Sequence, residues 1–219
     1  MKIPVSPRLQ VCCSFVNPGD RVADVGCDHG YLGIYLLKNG IAESVIASDI
    51  NEGPLQSAVR NSEKFGVRDK MTFYLSNGVQ NIPRDFDTLV CAGMGGDTMV
   101  SILSCAPWLK HDQYRLILQC QSKNVVLRRY LSENGWYIQR EQIIPDGKFL
   151  YTVLEAVWQP GPILTPGECC FPSALIKNEH YAAYYNWVIK GLENIVLNRK
   201  EQADPFLTQA LEELRKKEL

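Results

Sequence analysis

The chain has 219 residues, of which 46% are hydrophobic, and its formal net charge is −1. This length suits one full α/β domain with a small addition. So balanced a charge excludes nucleic-acid binding through a strong overall basic field, and any RNA contact must come from a local basic patch. The N-terminus lacks the basic and apolar regions of a signal peptide, and no apolar run is long enough to cross a membrane. We therefore expect a cytoplasmic protein without a membrane partner.

The cysteines and histidines indicate neither a metal site nor a disulfide framework. The eight cysteines include no Cys-x-x-Cys pair, and only His29, His111 and His180 could join them as ligands. Structural zinc sites and small disulfide-rich folds use closely spaced cysteines. We expect small buried thiols and no bound metal.

The first 158 residues predict a short helix and then alternating strands and helices. Ser6-Pro7 has the form of an N-cap followed by proline at the first helical position. Strand patterns follow at 21–24, 44–49, 71–75, 86–91 and 114–119, and helix patterns at 31–38, 53–65, 98–103 and 125–133. Two further strands, 136–144 and 149–157, are joined by Pro145-Asp-Gly147 with no helix between them, which predicts a β-hairpin.

This order of elements predicts an α/β protein with a Rossmann-like, seven-stranded sheet. Five β/α units build a parallel sheet with helices on both faces. The final hairpin places one antiparallel strand in that sheet, which is the class I methyltransferase variation on the doubly wound fold. Dehydrogenases end instead with a sixth parallel strand. We assign residues 1–158 to this domain.

The C-terminal part predicts a separate α-helical hairpin at 168–219. Prolines and glycines make 159–167 a linker. A first helix has its apolar positions at helical spacing, namely Tyr181, Tyr184, Tyr185, Val188, Leu192 and Ile195. Asp204-Pro205 begins a second helix, whose apolar face is Leu207, Ala210, Leu211 and Leu214. We interpret the aromatic stripe as the packing seam of this hairpin, in preference to a platform for nucleobases.

The turn after the first strand predicts the cofactor. Asp24-Val-Gly-Cys-Asp-His-Gly30 joins a strand to a helix, as in nucleotide-binding sheets. A dinucleotide fingerprint from Gly26 would need glycines where Asp28 and Tyr31 stand. The looser D-x-G-x-x-x-G pattern of class I methyltransferases fits better. Asp28 would repel a pyrophosphate but tolerate S-adenosyl-L-methionine (SAM), which carries a sulfonium cation and no phosphate.

The ends of the next strands supply further candidates for the cofactor site. Asp49 ends the second strand, where a carboxylate can accept hydrogen bonds from two ribose hydroxyls. The alternative is that Asp49 caps the next helix. Asn77-Gly78 ends the third strand, where a side-chain amide can reach an adenine amine. A simple Asn-Gly turn without ligand contact stays open as the alternative.

The fourth strand ends in Ala92-Gly-Met-Gly-Gly96, on the side of the methyl donor. Enzymes that methylate exocyclic amines usually carry an Asp/Asn-Pro-Pro-aromatic motif here, and that motif is absent. Three glycines would let a planar base lie against backbone, which favours a ring nitrogen or another acceptor. Asp28 must be solvated or paired within such a loop, whereas His29 is equally consistent with a surface or capping residue.

These motifs together resemble the bacterial tRNA (adenine-22-N1)-methyltransferases, the TrmK family, over essentially the whole chain. The matching segments are Ser6-Pro-Arg-Leu9, Asp24-Val-Gly-Cys-Asp-His-Gly-Tyr-Leu32, Ala47-Ser-Asp-Ile50 with Gly53-Pro54, Ala92-Gly-Met-Gly-Gly96 and Leu116-Ile-Leu-Gln119. The resemblance implies a Rossmann-like domain, a coiled-coil-like helical C-terminal domain, SAM as methyl donor and adenine 22 of the tRNA D-loop as target. Departures from the family pattern are Gly30 for alanine, Asn77 for aspartate and Cys120 for proline.

The implied chemistry assigns roles to individual residues. Methylation of adenine N1 creates positive charge shared with the exocyclic amine, and a carboxylate beside that amine stabilises it, for which Asp28 is our candidate. The predicted cofactor residues are Asp24, Gly26, Cys27, His29, Gly30, Asp49, Ile50, Asn77, Gly78, Ala92 and Gly93. The target base must be extruded, and the residues predicted to meet it are Tyr31, Met94, Gly95 and Gly96. The candidate phosphate contacts are Arg8, Lys123, Arg128 and Arg129, with a solvated helix face as the alternative.

Two other functional classes remain open from the sequence. A small-molecule methyltransferase would share the sheet and the SAM loop but would need neither the C-terminal hairpin nor the basic set. A SAM-binding adaptor for RNA or protein without catalysis would keep the loop while Asp28 became dispensable.

Overall fold

The computed structural model describes residues 2–199 and 204–216, and its centre is one seven-stranded sheet. The strands are β1 Arg21–Val25, β2 Ser44–Asp49, β3 Met71–Leu75, β4 Thr88–Gly95, β5 Arg115–Ser122, β6 Trp136–Asp146 and β7 Phe149–Trp158. Their order across the sheet is β3-β2-β1-β4-β5-β7-β6. Strands β1 to β5 are parallel, and β7 pairs antiparallel with both β5 and β6.

Eight α-helices accompany the sheet within the described residues. They are α1 Pro7–Phe15, α2 Tyr31–Lys38, α3 Glu52–Lys64, α4 Gly96–Ser104, α5 Asn124–Glu133, α6 Pro166–Cys170, α7 Tyr181–Arg199 and α8 Pro205–Lys216. Helix α1 begins at proline after Ser6, as predicted, although the Ser6 side chain makes no capping hydrogen bond. None of the helices in these two stretches is long and apolar enough to cross a membrane.

The sheet topology confirms the predicted Rossmann-like methyltransferase fold. The five parallel strands wind outward in both directions from β1 and β4, and the terminal hairpin inserts β7 between β5 and β6. The strand order reverses between β1 and β4, because β2 lies on one side of β1 and β5 lies beyond β4. Ligands of open α/β sheets bind in the crevice at the carboxyl ends of the strands where this reversal occurs.

Two apolar clusters hold helices against the two faces of the sheet. One joins α4 and α5 to side chains such as Leu89, Leu116 and Leu118, all fully buried. The other joins α1, α2 and α3 to the opposite face through residues such as Ile34 and Ile117. Burial on both faces explains why the central strands are almost continuously apolar rather than alternating.

The segment after β7 contains a helix and a 3₁₀ turn that the sequence pattern does not predict. The predicted linker 159–167 ends early, because α6 begins at Pro166. Thr165 and Glu168 form a reciprocal capping box, in which the Thr165 side chain accepts from the Glu168 backbone and Glu168 Oε2 accepts from the Thr165 N–H at 3.0 Å. Two hydrogen bonds at one helix start offset the neighbouring helix breakers. A 3₁₀ turn, Ser173–Lys177, follows before α7.

Helices α7 and α8 pack together through the predicted apolar positions. Tyr184, Leu192, Ala210, Leu211 and Leu214 are buried in a third apolar cluster. The aromatic stripe is therefore largely a packing seam, as predicted, although Ile195 at its end is exposed. Residues 200–203, the predicted turn, and 217–219 lie outside the described residues.

This C-terminal cluster also contacts the sheet domain. Ile143 of β6 is buried in it, and Asn178 Nδ2 donates to the Ile143 carbonyl at 3.3 Å. The division of the chain into two domains therefore stays a prediction, and any separation must break these contacts.

Candidate active site

A cavity of about 500 Å³ opens at the carboxyl ends of the strands, where the strand order reverses. Its wall combines the turns after β1, β2 and β3 with the end of β4, the start of α1 and the end of β5. The residues that line it are Arg8, Leu9, Asp24, Val25, Gly26, Cys27, Asp28, His29, Tyr31, Leu32, Asp49, Ile50, Ser76, Asn77, Gly78, Ala92, Gly93, Met94, Thr98, Ile102 and Gln121. Most of the residues predicted to bind the cofactor therefore share one cavity.

The glycines of the β1 turn allow two close approaches. Gly26 has φ +74°, and a Cβ there would lie 2.1 Å from Cε of Met94. Gly30 has φ +73°, and a Cβ there would lie 2.9 Å from Cβ of Ala58 in α3. Only glycine adopts such a backbone without strain while leaving this space empty. Gly30 is not among the residues that line the cavity, and it lies at a contact between α2 and α3, so its assignment to the cofactor stays a prediction.

Asp28 is held in the left-handed conformation by its neighbour across the loop. Its φ is +50°, and its backbone N–H donates to Oδ2 of Asp49 at 3.1 Å. The Asp28 side chain is 71% exposed, with Oδ1 3.7 Å from Nε2 of His29. The carboxylate therefore projects freely at the mouth of the cavity.

Asp49 organises the turn after β2. Its Oδ1 accepts from the N–H of Asn51 at 2.9 Å, while Oδ2 accepts from Asp28. The helix that follows has Asn51 at its N-cap position, so Asp49 is not the cap of α3. Each carboxylate oxygen can accept a second hydrogen bond, which leaves Asp49 able to bind hydroxyl groups in the cavity.

Asp24 is a buried acid of the site, and its pKa is strongly raised. It is buried, and its Oδ2 has no hydrogen-bond partner among the described residues. The pKa of Asp24 is raised to about 7, chiefly by burial; a hydrogen bond from the Gly33 backbone lowers it in part, and the charges of Asp49 and Asp28 add to the rise. A buried carboxylate oxygen without a partner is costly. It would be satisfied by a cationic donor that enters the cavity.

The turn after β3 is built around a serine that the sequence analysis did not identify. Ser76 Oγ donates to the carbonyl of Gly78 at 2.9 Å and accepts from the N–H of Asn81 at 3.1 Å. Gly78 has φ +60°, and a Cβ there would lie 2.9 Å from Ile102. This arrangement fixes the turn and leaves the Asn77 side chain on the cavity wall.

The glycine run at the end of β4 divides into two parts. Gly93, with φ +79°, lines the cavity, and its N–H donates to Oε1 of the buried Gln119 at 3.0 Å. Gly95 and Gly96 lie away from the cavity, and a Cβ on Gly96 would be 2.4 Å from the carbonyl oxygen of Lys123. Their smallness therefore serves close packing between α4 and the turn before α5, and the contact of these two glycines with the substrate stays a prediction.

Several residues of the cavity wall were not predicted. They are Leu9, Val25, Leu32, Ser76, Thr98, Ile102 and Gln121. A signal existed for Gln121, because it follows Gln119 by two positions on a strand and so points to the same face. The apolar residues carried no such signal, since their pattern is that of ordinary core positions.

The sequence and structure resemble known methyltransferases. The profile of a family described as "Methyltransferase domain" matches residues 5–154. A protein of Mycoplasma genitalium, named among the tRNA methyltransferases, is 34% identical over 159 residues, which cover 70% of this chain and 68% of that protein. The tRNA (adenine(22)-N(1))-methyltransferase of Bacillus subtilis is 32% identical over 71% of this chain and 66% of its own length.

The structural comparison extends over nearly the whole chain. The structure of M. capricolum TrmK in complex with its cofactor product, S-adenosylhomocysteine, matches with a TM-score of 0.80 and 27% identity, covering 97% of this chain and 96% of that one. This chain belongs to the tRNA (adenine-22-N1)-methyltransferase family. The membership confirms the resemblance carried by the sequence motifs, and it includes the helical C-terminal part.

Three of the four basic residues predicted to bind phosphate are accessible, although each has an acidic partner. Arg8 lines the cavity, and its Nε lies 3.4 Å from Oδ2 of Asp146. Lys123 pairs with Asp97 at the start of α4. Arg129 pairs with Glu133 at 2.8 Å, and its guanidinium lies over the ring of Phe206 in α8. Exposed ion pairs are weak, so these side chains can exchange their partners for phosphates.

Arg128 cannot bind phosphate as the sequence analysis predicted. Its side chain is 1% exposed, and Nη2 lies 2.5 Å from Oε1 of Glu141, which is fully buried. Nη1 donates to the carbonyls of Cys169 and Cys170 at 3.1 and 3.3 Å. A buried arginine needs both a counter-ion and acceptors for its remaining protons. Arg128 therefore links α5 to β6 through its ion pair and to α6 through its hydrogen bonds, in the interior of the protein.

The cysteines are free thiols, and only Cys105 is exposed. Burial raises the pKa of Cys13 and Cys91 to about 12, with the charge of Asp24 as the second cause. Such thiols are unreactive. Across residues 2–199 and 204–216, no group of three or more His, Cys, Asp or Glu side chains is placed to hold a metal ion.

Proposed function

We propose that this protein transfers a methyl group from SAM to N1 of adenine 22 in the D-loop of tRNA. One observation supports this most directly. A buried carboxylate oxygen of Asp24, without a partner among the described residues, lies in the same cavity as Asp49, beside a turn in which Gly26 has φ +74°. This pairing fits a ligand that carries both an ammonium group and a ribose.

The residues present fit SAM better than a dinucleotide. Asp24 would accept the ammonium group of the methionine part, and Asp49 would accept the ribose hydroxyls. Asn77 would accept the adenine amine through its carboxamide oxygen. The carboxylates of Asp24, Asp28 and Asp49 all line the cavity, and such a charge set repels a pyrophosphate. Bound SAM would supply a methyl group activated by a sulfonium cation.

Asp28 is suited to assist the methyl acceptor. Adenine N1 attacks through its in-plane lone pair, so no proton must leave N1 before the transfer. Positive charge then spreads over the ring and the exocyclic amine. The exposed Asp28 carboxylate at the cavity mouth would accept an N–H of that amine and stabilise the charge as it develops. The backbone bond from Asp28 to Asp49 fixes the loop that presents it.

The target base must leave the tRNA stack, because N1 is hidden in a paired or stacked adenine. Tyr31 is the better candidate for stacking, since it lines the cavity and is half-buried between His29 and Phe65. Met94 lies with its methyl group against Gly26. We therefore place Met94 between the cofactor loop and the base.

The tRNA backbone would be held by Arg8 on the cavity wall, Lys123 directly before α5 and Arg129 on α5. Each phosphate contact releases counterions, so binding should weaken with salt. The cytoplasmic location predicted from the sequence stays a prediction.

The test is a methylation assay with unmodified tRNA transcripts and SAM. Incorporation of one methyl group that digestion identifies as 1-methyladenosine supports the proposal. Methylation of small acceptors but not of tRNA would support the alternative of a small-molecule enzyme. Tight SAM binding without transfer to any acceptor would support a non-catalytic adaptor.

A further inference from the structure

Two glutamines project from the same face of β5 toward Gly93, in the glycine-rich end of β4. Gln119 is fully buried and uses both ends of its carboxamide: Oε1 accepts from the Gly93 N–H at 3.0 Å, and Nε2 donates to the Cys120 carbonyl at 3.2 Å. Gln121, two residues further along the strand, is exposed and lines the cavity. The first glutamine therefore shapes the turn, and the second faces the space beside it.

The carboxamide of Gln121 has no assigned task within the protein. Its Nε2 lies 3.5 Å from the position that a Cβ on Gly93 would occupy, so the amide rests against the turn that faces the methyl donor. Among the described residues, it takes part in no hydrogen bond or ion pair. A free donor and a free acceptor are thus held side by side at the substrate end of the cavity.

We infer that Gln121 selects the target base by reading the N6/N7 edge of adenine, an inference that rests on the proposed function. A carboxamide matches adenine there, because its oxygen accepts from N6–H while its nitrogen donates to N7. Guanine presents two acceptors, O6 and N7, on the same edge, and it leaves the oxygen of the carboxamide opposed to O6. Reading this edge also leaves N1, on the opposite side of the amine, open to the methyl donor.

The division of labour with Asp28 follows from the two protons of the exocyclic amine. The amine N–H on the N1 side would donate a hydrogen bond to the Asp28 carboxylate. The N–H on the N7 side would donate one to the carboxamide oxygen of Gln121. Among the described residues that line this end of the cavity, Gln121 is the one that offers a carboxamide, and the imidazole of His29 lies with its Nε2 3.7 Å from Oδ1 of Asp28. Arg8 only donates, and Thr98 offers a single hydroxyl. Asn77 lies on the turn after β3, on the proposed cofactor side.

The experiment compares adenosine with 7-deazaadenosine at position 22 of a tRNA transcript, since the second base keeps the amine but lacks the N7 acceptor. Wild-type protein should lose about 10- to 100-fold in kcat/KM on the deaza substrate. Gln121→Met should be slower on adenosine and should no longer distinguish the two substrates. Gln121→Glu should prefer the deaza substrate, because a carboxylate opposes the N7 lone pair but not a C–H group.

The controls separate this inference from the function on which it rests. Gln113→Met, in the loop before the other end of β5, should keep the wild-type ratio between the two substrates. SAM affinity, measured by titration calorimetry, should change less than threefold or so in both Gln121 variants. Equal substrate ratios in wild type and both variants, or a loss of SAM affinity that accounts for the rate, would overturn the inference. Absence of any tRNA methylation by the wild type would instead overturn the proposed function.

Discussion

The backbone N–H of Asp28 donates a hydrogen bond to Oδ2 of Asp49 at 3.1 Å, which ties the turn after β1 to the turn after β2. The bond holds Asp28 in a left-handed conformation that non-glycine residues rarely adopt. The proposed ribose-binding carboxylate and the proposed catalytic carboxylate are therefore positioned by one another. A substitution of Asp49 should therefore also change the position of Asp28.

Asp49→Ala should weaken SAM binding by about 10- to 100-fold, because it removes the charged acceptor for the ribose and also the partner of the Asp28 backbone. It should lower kcat as well, since the Asp28 loop loses its support. Titration calorimetry and single-turnover rates measure the two effects. Asp69→Ala, at an exposed site in the loop before β3, is the matched control. Unchanged SAM affinity in Asp49→Ala would remove this residue from the cofactor site.

Asp28→Asn should lower kcat on the order of a hundred-fold while SAM affinity changes only a few-fold. Asparagine tolerates the left-handed conformation, so this variant removes the charge without adding backbone strain. Asp28→Gly removes the carboxylate and relaxes the strain, and it should be equally slow. A parallel loss of SAM affinity and rate would assign Asp28 to the cofactor.

SAM binding should depend on pH through Asp24, whose pKa burial raises to about 7. The ammonium group of the ligand needs the ionised carboxylate, so affinity should fall as the pH drops below 7, and binding at pH 6 should release a proton. Calorimetry in buffers of different ionisation enthalpy measures that proton. Asp24→Asn should bind more weakly and show no proton release. A wild-type affinity that is constant between pH 5.5 and 8, roughly one unit either side of that pKa, would contradict the assignment.

The raised pKa of Asp24 also predicts how the stability of the protein without SAM varies with pH. The pKa of Asp24 is higher in the folded protein than its ordinary value of 3.8. Between these two pKa values the folded state holds a proton on Asp24 that the unfolded state has lost. The contribution of Asp24 to the free energy of unfolding is therefore fully present below pH 4 or so and is lost as the pH rises through 7. The loss amounts to about 4 kcal/mol at most. Asp24→Asn should therefore raise the melting temperature more at pH 8 than at pH 5, and the opposite order would contradict this account.

Adjacent arginines on α5 should respond differently to the same substitution. Arg128→Met leaves Glu141 buried without a partner and should destabilise the fold by about 3–5 kcal/mol. Arg129→Met removes an exposed pair and should cost less than about 1 kcal/mol. Urea titration measures both. Pairing Arg128→Met with Glu141→Leu should recover much of the loss. If Arg128→Met kept wild-type stability but lost tRNA affinity, the result would support a contact between Arg128 and a tRNA phosphate.

The fold was predictable because its signals are local. Strands buried on both faces give continuous apolar runs, and β2 and β3 have the predicted bounds. Strand β4 was placed too early, since it runs from Thr88 to Gly95. Glycines indicate a loop in the sequence, whereas pairing with β5 across a register shift after Ala92 extends the strand. That shift depends on a partner strand whose register no local pattern specifies.

The errors in the site have a similar origin. Arg128 and Arg129 are equivalent in the sequence, and the positions of Glu141 on β6 and of the α6 carbonyls decide which one is buried. The glycine spacing of the turn after β1, by contrast, indicates the function of that turn, because close backbone approaches require glycine at fixed positions. Helix α6 was missed because its proline and glycine outweighed the Thr165–Glu168 capping box, which was visible in the sequence.

Mapping the methylated nucleotide tests the central claim most directly. Unmodified tRNA with adenine at position 22 is incubated with the protein and SAM, and the product is digested and sequenced by mass spectrometry. We expect 1-methyladenosine at position 22, and no methylation of a matched transcript that carries guanine there. Methyl transfer to another position, to the exocyclic amine, or to neither transcript would contradict the account.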